Sequence, residues 1–220
     1  MNRFILLLQI LVPVSLMSMI IGHTGAGDLN WMANQISSYA AHAPLDYFVT
    51  AAMLFSAVVL VMLGMLVTRY RVFGENYFAD IIPLLAGAAA AGLLLLATFE
   101  ETARNLHSLR RAGFTAVRSQ TFHDAGLLLF YYGSLLLVML IGGLCLVGRQ
   151  AVGSRVKGAV IFLLGPLSFI LMTTKWPKLL GLAGPTVGLN QRAALFCLWL
   201  SIALCIYVAS QRMRITDHAE

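Results

Sequence analysis

Six long apolar segments alternate with shorter polar segments along the 220-residue chain. A transmembrane α-helix needs about 20 mostly apolar residues to cross the hydrocarbon core of a bilayer. The pattern therefore predicts an all-α, polytopic membrane protein: a six-transmembrane-helix bundle that forms a single membrane domain over residues 1–220. The predicted spans are residues 4–21, 48–67, 81–99, 125–147, 158–174 and 193–209.

Three polar segments are predicted to form a cap over one end of this bundle: residues 23–47, 100–122 and 175–192. In the first outer loop, apolar residues at helical spacing predict a short amphipathic helix, namely Leu29, Met32, Ile36 and Tyr39. The third span contains LAGAAAAG at residues 85–92. Small residues let helices approach closely in lipid, so this helix is expected to be central in the bundle.

Charge supports a membrane protein and indicates its orientation. Only 11% of residues are charged, against about 25% in soluble domains. The net charge of +6 comes from basic residues in short loops, which favours contact with lipid headgroups over nucleic acid. The 15 Lys and Arg divide nearly evenly between the two faces, but they are denser in the loops on the side of the termini. This predicts cytoplasmic termini.

Most of the histidines and several acids fall at the predicted cap. The histidines there are His23, His42, His107 and His123, and the acids are Asp28, Asp46, Glu100, Glu101 and Asp124. No histidine lies in the middle of a span, which argues against a haem held by two histidines at the bilayer centre. The three cysteines all lie in apolar segments and are interpreted as packing residues.

The pattern places His123 and Asp124 in the first turn of the fourth helix and Glu100 and Glu101 at the end of the third. If these helices are antiparallel neighbours, the four side chains approach each other. Three interpretations stay open. In the first, the four side chains cap helix ends and pair with loop arginines. In the second, they form a catalytic or ligand-binding acid–base cluster. In the third, His107 and His123 bind a divalent metal.

Basic and polar residues of the cap are candidates for ligand binding. Arg104, Arg110 and Arg111 would share one helix face with His107, where guanidinium groups suit a phosphate or carboxylate such as that of a lipid. The alternative is a solvated or headgroup-facing surface. Ser37, Gln191 and Arg192 could line the mouth of the bundle, and the alternative for them is ordinary loop polarity and capping.

Three polar patterns in this order resemble a bacterial family of integral membrane proteins, domain of unknown function 998. The first is a QxIS-(L/Y)-A pattern after the first helix, carried here by Gln35, Ile36, Ser37, Tyr39 and Ala40. The second is a histidine at the start of the fourth helix, His123, and the third is a GLxxR pattern before the last helix, with Gly188, Leu189 and Arg192. The resemblance implies the six-span fold and no activity.

The sequence leaves three classes of function open. The first is a non-catalytic accessory or lipid-binding bundle with a polar pocket at the outer face. The second is a membrane enzyme that acts on a lipid or quinone at the outer leaflet through His123, Asp124 and Glu100 or Glu101. The third is an electron-transfer subunit with haem or quinone. Membrane lipids, and a protein subunit, are the expected partners, and the bacterial cytoplasmic (inner) membrane is the expected location.

Overall fold

The computed structural model describes residues 3–24, 46–73, 77–99, 114–147, 152–174, 177 and 186–217. These residues are almost entirely helical and include no strand. The helices are α1 (Arg3–Thr24), α2 (Asp46–Arg69), α3 (Tyr77–Asp80), α4 (Ile82–Thr98), α5 (Phe114–Val147), α6 (Val152–Thr173) and α7 (Val187–Asp217). The amphipathic helix predicted within residues 23–47 lies outside the described residues.

Within the described residues, six helices are long and apolar enough to cross a membrane, which confirms the predicted all-α membrane fold. These spans are Arg3–Gly22, Tyr47–Arg69, Tyr77–Thr98, Ser119–Val147, Ser154–Thr173 and Val187–Arg212. The short helix α3 leads directly into α4, so the two form one span.

Helices α5, α6 and α7 extend beyond their predicted spans, and α6 begins at Val152, although the hydropathy pattern placed its start at residue 158. The fourth long helix, α5, begins at Phe114, although the hydropathy pattern placed its start at residue 125. The last helix, α7, begins at Val187 and extends to Asp217, beyond the predicted residues 193–209 at both ends. Hydropathy marks the part of a helix that lies in hydrocarbon, and a helix continues into polar sequence where its backbone hydrogen bonds persist. Parts of the predicted cap are therefore helical.

Long helices that follow each other in the chain are neighbours in space. Contacts run in the order α1, α2, α4, α5, α6 and α7, and α7 also touches α5, α1 and α2 at fewer points. Because the helices alternate in direction, the start of α5 lies at the same end of the bundle as the end of α4. We call this the His123 end, and the opposite one, where α2 ends, the Arg212 end.

Glycines bring the backbones of α4, α5 and α6 into direct contact. A Cβ atom on Gly92 of α4 would meet the backbone nitrogen of Phe130, and it would lie 2.6 Å from the carbonyl oxygen of Gly126. A Cβ on Gly142 of α5 would lie 2.6 Å from the backbone nitrogen of Phe162 in α6. The LAGAAAAG segment packs closely between α2 and α5, as predicted. The prediction that this helix is central in the bundle was wrong, because its span is less buried than those of α2, α5 and α7.

At the Arg212 end, the last helix is tied to the turn that follows α2. That turn has the hydrogen bonds of a Schellman motif, with Arg71 in the left-handed region at φ 42°. The Nη1 of Arg212 donates to the carbonyl oxygen of Val72 at 2.9 Å, and its guanidinium lies 4.4 Å from the ring centre of Phe73. Arg212 therefore links the end of α7 to the turn that follows α2.

The glycine contacts can be tested with two substitutions in the same helix. Gly92→Ala should lower the free energy of unfolding by about 1–3 kcal/mol, because the new methyl group has to push the backbones of α4 and α5 apart. Gly87→Ala is the control, since nothing lies within 4 Å of a Cβ there, and it should leave stability unchanged or raise it. Thermal unfolding in detergent measures both. Equal stability of the two variants would contradict this packing.

Candidate functional site

A pocket lies inside the bundle toward the His123 end, and all six long helices contribute to its lining. The enclosed cavity has a volume of about 50 Å³. The whole space between the lining atoms, including the open mouth, is about 640 Å³. Most of the lining is apolar. The lining residues are Met19, Met53, Ser56, Leu93, Leu96, His123, Leu127, Phe130, Tyr131, Met172, Gln191, Ala194, Leu195 and Trp199.

The polar groups of the pocket lie at two depths. His123 and Gln191 are the lining residues nearest the starts of α5 and α7. Tyr131 follows His123 by eight positions on the same helix, which places it about 12 Å deeper at a rise of about 1.5 Å per residue. Ser56 of α2 also lies deep. The walls between these two levels are formed by leucine, methionine, phenylalanine and alanine side chains.

His123 is the best-defined polar group in the pocket. It is 4% exposed, and its Nδ1 lies 2.8 Å from the carbonyl oxygen of Phe99. Phe99 is the C-terminal cap of α4, so this carbonyl has no helical partner of its own. Because a carbonyl only accepts, Nδ1 carries the hydrogen and donates it. In a neutral imidazole the lone pair is then on Nε2, and Nε2 is the nitrogen left for a ligand.

An aromatic contact supports the position of His123. The ring of Phe99 stacks on the ring of Phe122, the residue before His123, with ring centres 4.7 Å apart. Such pairs contribute about 0.5–1.5 kcal/mol beyond the area that they bury. The end of α4 is thus held against α5 by a ring stack and by a hydrogen bond from adjacent residues of α5, which fixes the imidazole ring.

The deeper polar groups bind each other across helices. The hydroxyl oxygens of Ser15 in α1 and Ser56 in α2 lie 2.6 Å apart, and Ser56 Oγ also donates to the carbonyl oxygen of Ala52 at 2.6 Å. The hydroxyl of Tyr131 lies 3.1 Å from Ser168 Oγ in α6. Sequence reasoning missed Ser56 and Tyr131 as site residues. A signal was available, because polar side chains inside apolar spans usually face the interior of a bundle.

The predicted site residues are only partly brought together. His123 and Gln191 line the pocket, and Gln191 is 6% exposed. Asp124 is exposed on the bundle surface and accepts a hydrogen bond from Gln120 at 2.8 Å. The prediction that His123 and Asp124 lie in the first turn of their helix was wrong, because α5 begins at Phe114. Arg192 is half-buried in α7 and is not among the lining residues.

The other candidate residues lie outside the described part of the chain. They are Glu100, Glu101, Arg104, His107, Arg110, Arg111 and Ser37. Within the described residues, no group of three His, Cys, Asp or Glu side chains could hold a metal ion. The acid–base cluster, the arginine site and a metal bound by His107 and His123 therefore stay predictions, and so does an electron-transfer role.

The hydrogen bond between His123 and Phe99 can be tested by two substitutions at one position. His123→Leu should lower the free energy of unfolding by about 0.5–1.5 kcal/mol, because it removes the side-chain partner of the partly buried Phe99 carbonyl. His123→Asn should retain most of the stability, since its amide nitrogen takes nearly the place of Nδ1 and can donate to the same carbonyl. Thermal unfolding in detergent distinguishes the two. Equal losses would show that this hydrogen bond does not stabilise the fold.

Comparison with known proteins places this architecture at the level of a family. No match was found among curated proteins or among solved structures. A family model matches residues 10–207, a region that reaches from α1 into α7 and includes every residue that lines the pocket. The match confirms the resemblance drawn from the polar patterns around the helices. The chain belongs to the family described as protein of unknown function (DUF998).

Proposed function

We propose that the protein is a non-catalytic membrane bundle that binds part of a lipid molecule in the pocket at the His123 end. The observation that carries the proposal is the lining itself: all six long helices contribute to it, and apolar side chains form most of it. Pockets that are mostly apolar with a few convergent polar groups are typical ligand sites. In a membrane protein, the molecules closest to such a pocket are lipids.

The small volume of the pocket favours part of a hydrocarbon chain over a large ring system. A cavity of about 50 Å³ has room for a few methylene groups or a small polar group, and its open mouth leaves the rest of the molecule outside. A hydrocarbon chain gains little by moving from lipid into an apolar pocket, because both surroundings are equally apolar. Affinity therefore depends on close packing and on the polar groups His123, Gln191, Ser56 and Tyr131.

A second candidate function, catalysis on a lipid or quinone, is supported by the orientation of His123. A histidine whose Nδ1 donates to a fixed acceptor holds its second nitrogen ready as a general base. The same hydrogen bond is also ordinary capping of α4, so it supports catalysis less directly than the lining supports binding. Loss of product formation from added lipid extracts in His123→Asn, with the fold retained, would favour the enzyme.

Lipid binding can be tested with adjacent leucines of α5. Leu127 lines the pocket, whereas Leu128 is 56% exposed on the bundle surface. Leu127→Trp should fill the pocket and displace the bound lipid. Overpacking of about 1–3 kcal/mol corresponds to an affinity loss of about 5- to 150-fold. Leu128→Trp should leave binding unchanged. Native mass spectrometry of protein released from mild detergent measures the bound lipid.

The lipid content of the three proteins either supports or contradicts lipid binding in the pocket. A specific lipid that is present in the wild-type protein and in Leu128→Trp, and absent from Leu127→Trp, supports binding in the pocket. Equal lipid content in all three proteins, or no specific lipid in any of them, contradicts the proposal. Thermal unfolding of each variant shows whether a loss of lipid reflects a loss of fold.

The proposed location is the bacterial cytoplasmic membrane, with the termini in the cytoplasm and the His123 end at the outer face. Single cysteines at Thr115, in the first turn of α5, and at Gly153, in the first turn of α6, lie at opposite ends of the bundle. The native cysteines are buried. A membrane-impermeant thiol reagent should label Thr115→Cys from outside and Gly153→Cys only after the cells are opened. Labelling of Gly153→Cys alone from outside would reverse the orientation.

A further inference from the structure

The pocket chemistry also indicates which kind of lipid is bound, an inference that rests on the proposed function. We infer that the polar end of the ligand is uncharged and carries a hydroxyl group that donates a hydrogen bond to Nε2 of His123. The ligand class is then a long-chain lipid alcohol. Neither a phospholipid headgroup nor an ether without a donor meets this requirement.

The first observation is the charge of the pocket. Among the described lining residues none is Asp, Glu, Lys or Arg, and the polar groups are one imidazole, one amide, two hydroxyl groups and the indole N–H of Trp199. Moving an unpaired charge into apolar surroundings costs far more than moving a hydroxyl group that finds a partner. An anionic or cationic headgroup would lack a counter-charge within this lining.

Arg192, the charged residue next to Gln191 in sequence, is not among the described lining residues. Arg192 follows Gln191 in α7, and successive residues of a helix point about 100° apart. Gln191 lines the pocket and Arg192 does not, which agrees with this geometry. Within the described lining, a headgroup beside Gln191 and His123 therefore meets an amide and an imidazole.

The second observation is the acceptor that His123 offers. The side chain of His123 is only 4% exposed, and its Nδ1 donates a hydrogen bond to the Phe99 carbonyl. Neutral imidazole then offers an acceptor at Nε2 and no second donor. The complementary ligand group is a donor, and a hydroxyl group is the smallest uncharged donor that a lipid chain carries.

The third observation concerns the source of selectivity. Because every lipid chain packs against the same leucine, methionine and phenylalanine walls, the chain does not discriminate among lipids of equal length. A hydrogen bond inside the pocket does discriminate, since a ligand without the donor leaves Nε2 unpaired in apolar surroundings. The head of the ligand is therefore the part that this site selects.

The experiment uses the full chain in phosphatidylcholine nanodiscs and hexadecanol with a photoreactive diazirine in its chain. After irradiation, digestion and mass spectrometry locate the label. Three unlabelled competitors share one chain and differ only at the head: hexadecanol, hexadecyl methyl ether and hexadecyl phosphate. We expect label on the α5 or α7 segments that line the pocket. Hexadecanol should compete at concentrations about three- to tenfold lower than the methyl ether, the factor of one net hydrogen bond.

His123→Asn removes the proposed acceptor, Nε2, and keeps the hydrogen bond to Phe99 that stabilises the fold. The asparagine keeps a donor for the Phe99 carbonyl and removes Nε2, so the advantage of hexadecanol over the ether should fall to about onefold. Competition by the ether itself should stay as it is in the wild-type protein. A preference for hexadecanol that survives in His123→Asn would overturn the role of Nε2.

The possible outcomes separate this inference from the function on which it rests. Pocket labelling with equal competition by all three compounds would leave lipid binding in place and overturn the selection of a hydroxyl head. Strongest competition by hexadecyl phosphate would overturn it in favour of an anionic headgroup. Labelling spread over lipid-facing residues, with none in the pocket, would contradict both the inference and the proposed function.

Discussion

The direct contact of helix backbones at glycine is the constraint on which this bundle depends. In a bilayer, an apolar side chain gains little by leaving lipid for protein, so helices associate where their backbones approach closely. Gly92 and Gly126 provide this contact between α4 and α5, and Gly142 and Gly158 provide it between α5 and α6. A larger side chain at these positions would separate the helices. It would remove the close packing that drives their association in lipid, where the hydrophobic effect does not.

The glycines also decide which way α5 faces. Gly126 and Gly133 lie against α4, and Gly142 lies against α6, so the rotation of α5 about its own axis is fixed on two sides. The lining residues of α5 then follow a stripe at helical spacing: His123, Leu127, Phe130 and Tyr131. The direction of the imidazole ring is therefore a consequence of backbone packing along the helix as well as of its own hydrogen bond.

Much of the architecture could be predicted from the sequence, because the requirements of a bilayer are local. Twenty apolar residues define a span and a run of small residues defines a close contact, and both predictions were confirmed. The start of α5 could not be predicted from hydropathy, since residues 114–122 are helical without being strongly apolar. The lining of the pocket could be predicted only in part: His123 and Gln191 were candidate site residues, whereas Ser56 and Tyr131 were not. Ser56, Tyr131 and Gln191 lie far apart in the chain, and only the packing of all six helices brings them together.

Contacts between consecutive helices allow each pair to form soon after its second member enters the membrane. The hydrogen bond from Arg212 to Val72 is different, because it joins positions 140 residues apart. This hydrogen bond forms only when α7 lies beside the turn that follows α2. A nascent chain that still lacks α7 therefore differs from the folded protein at the Arg212 end, opposite the pocket.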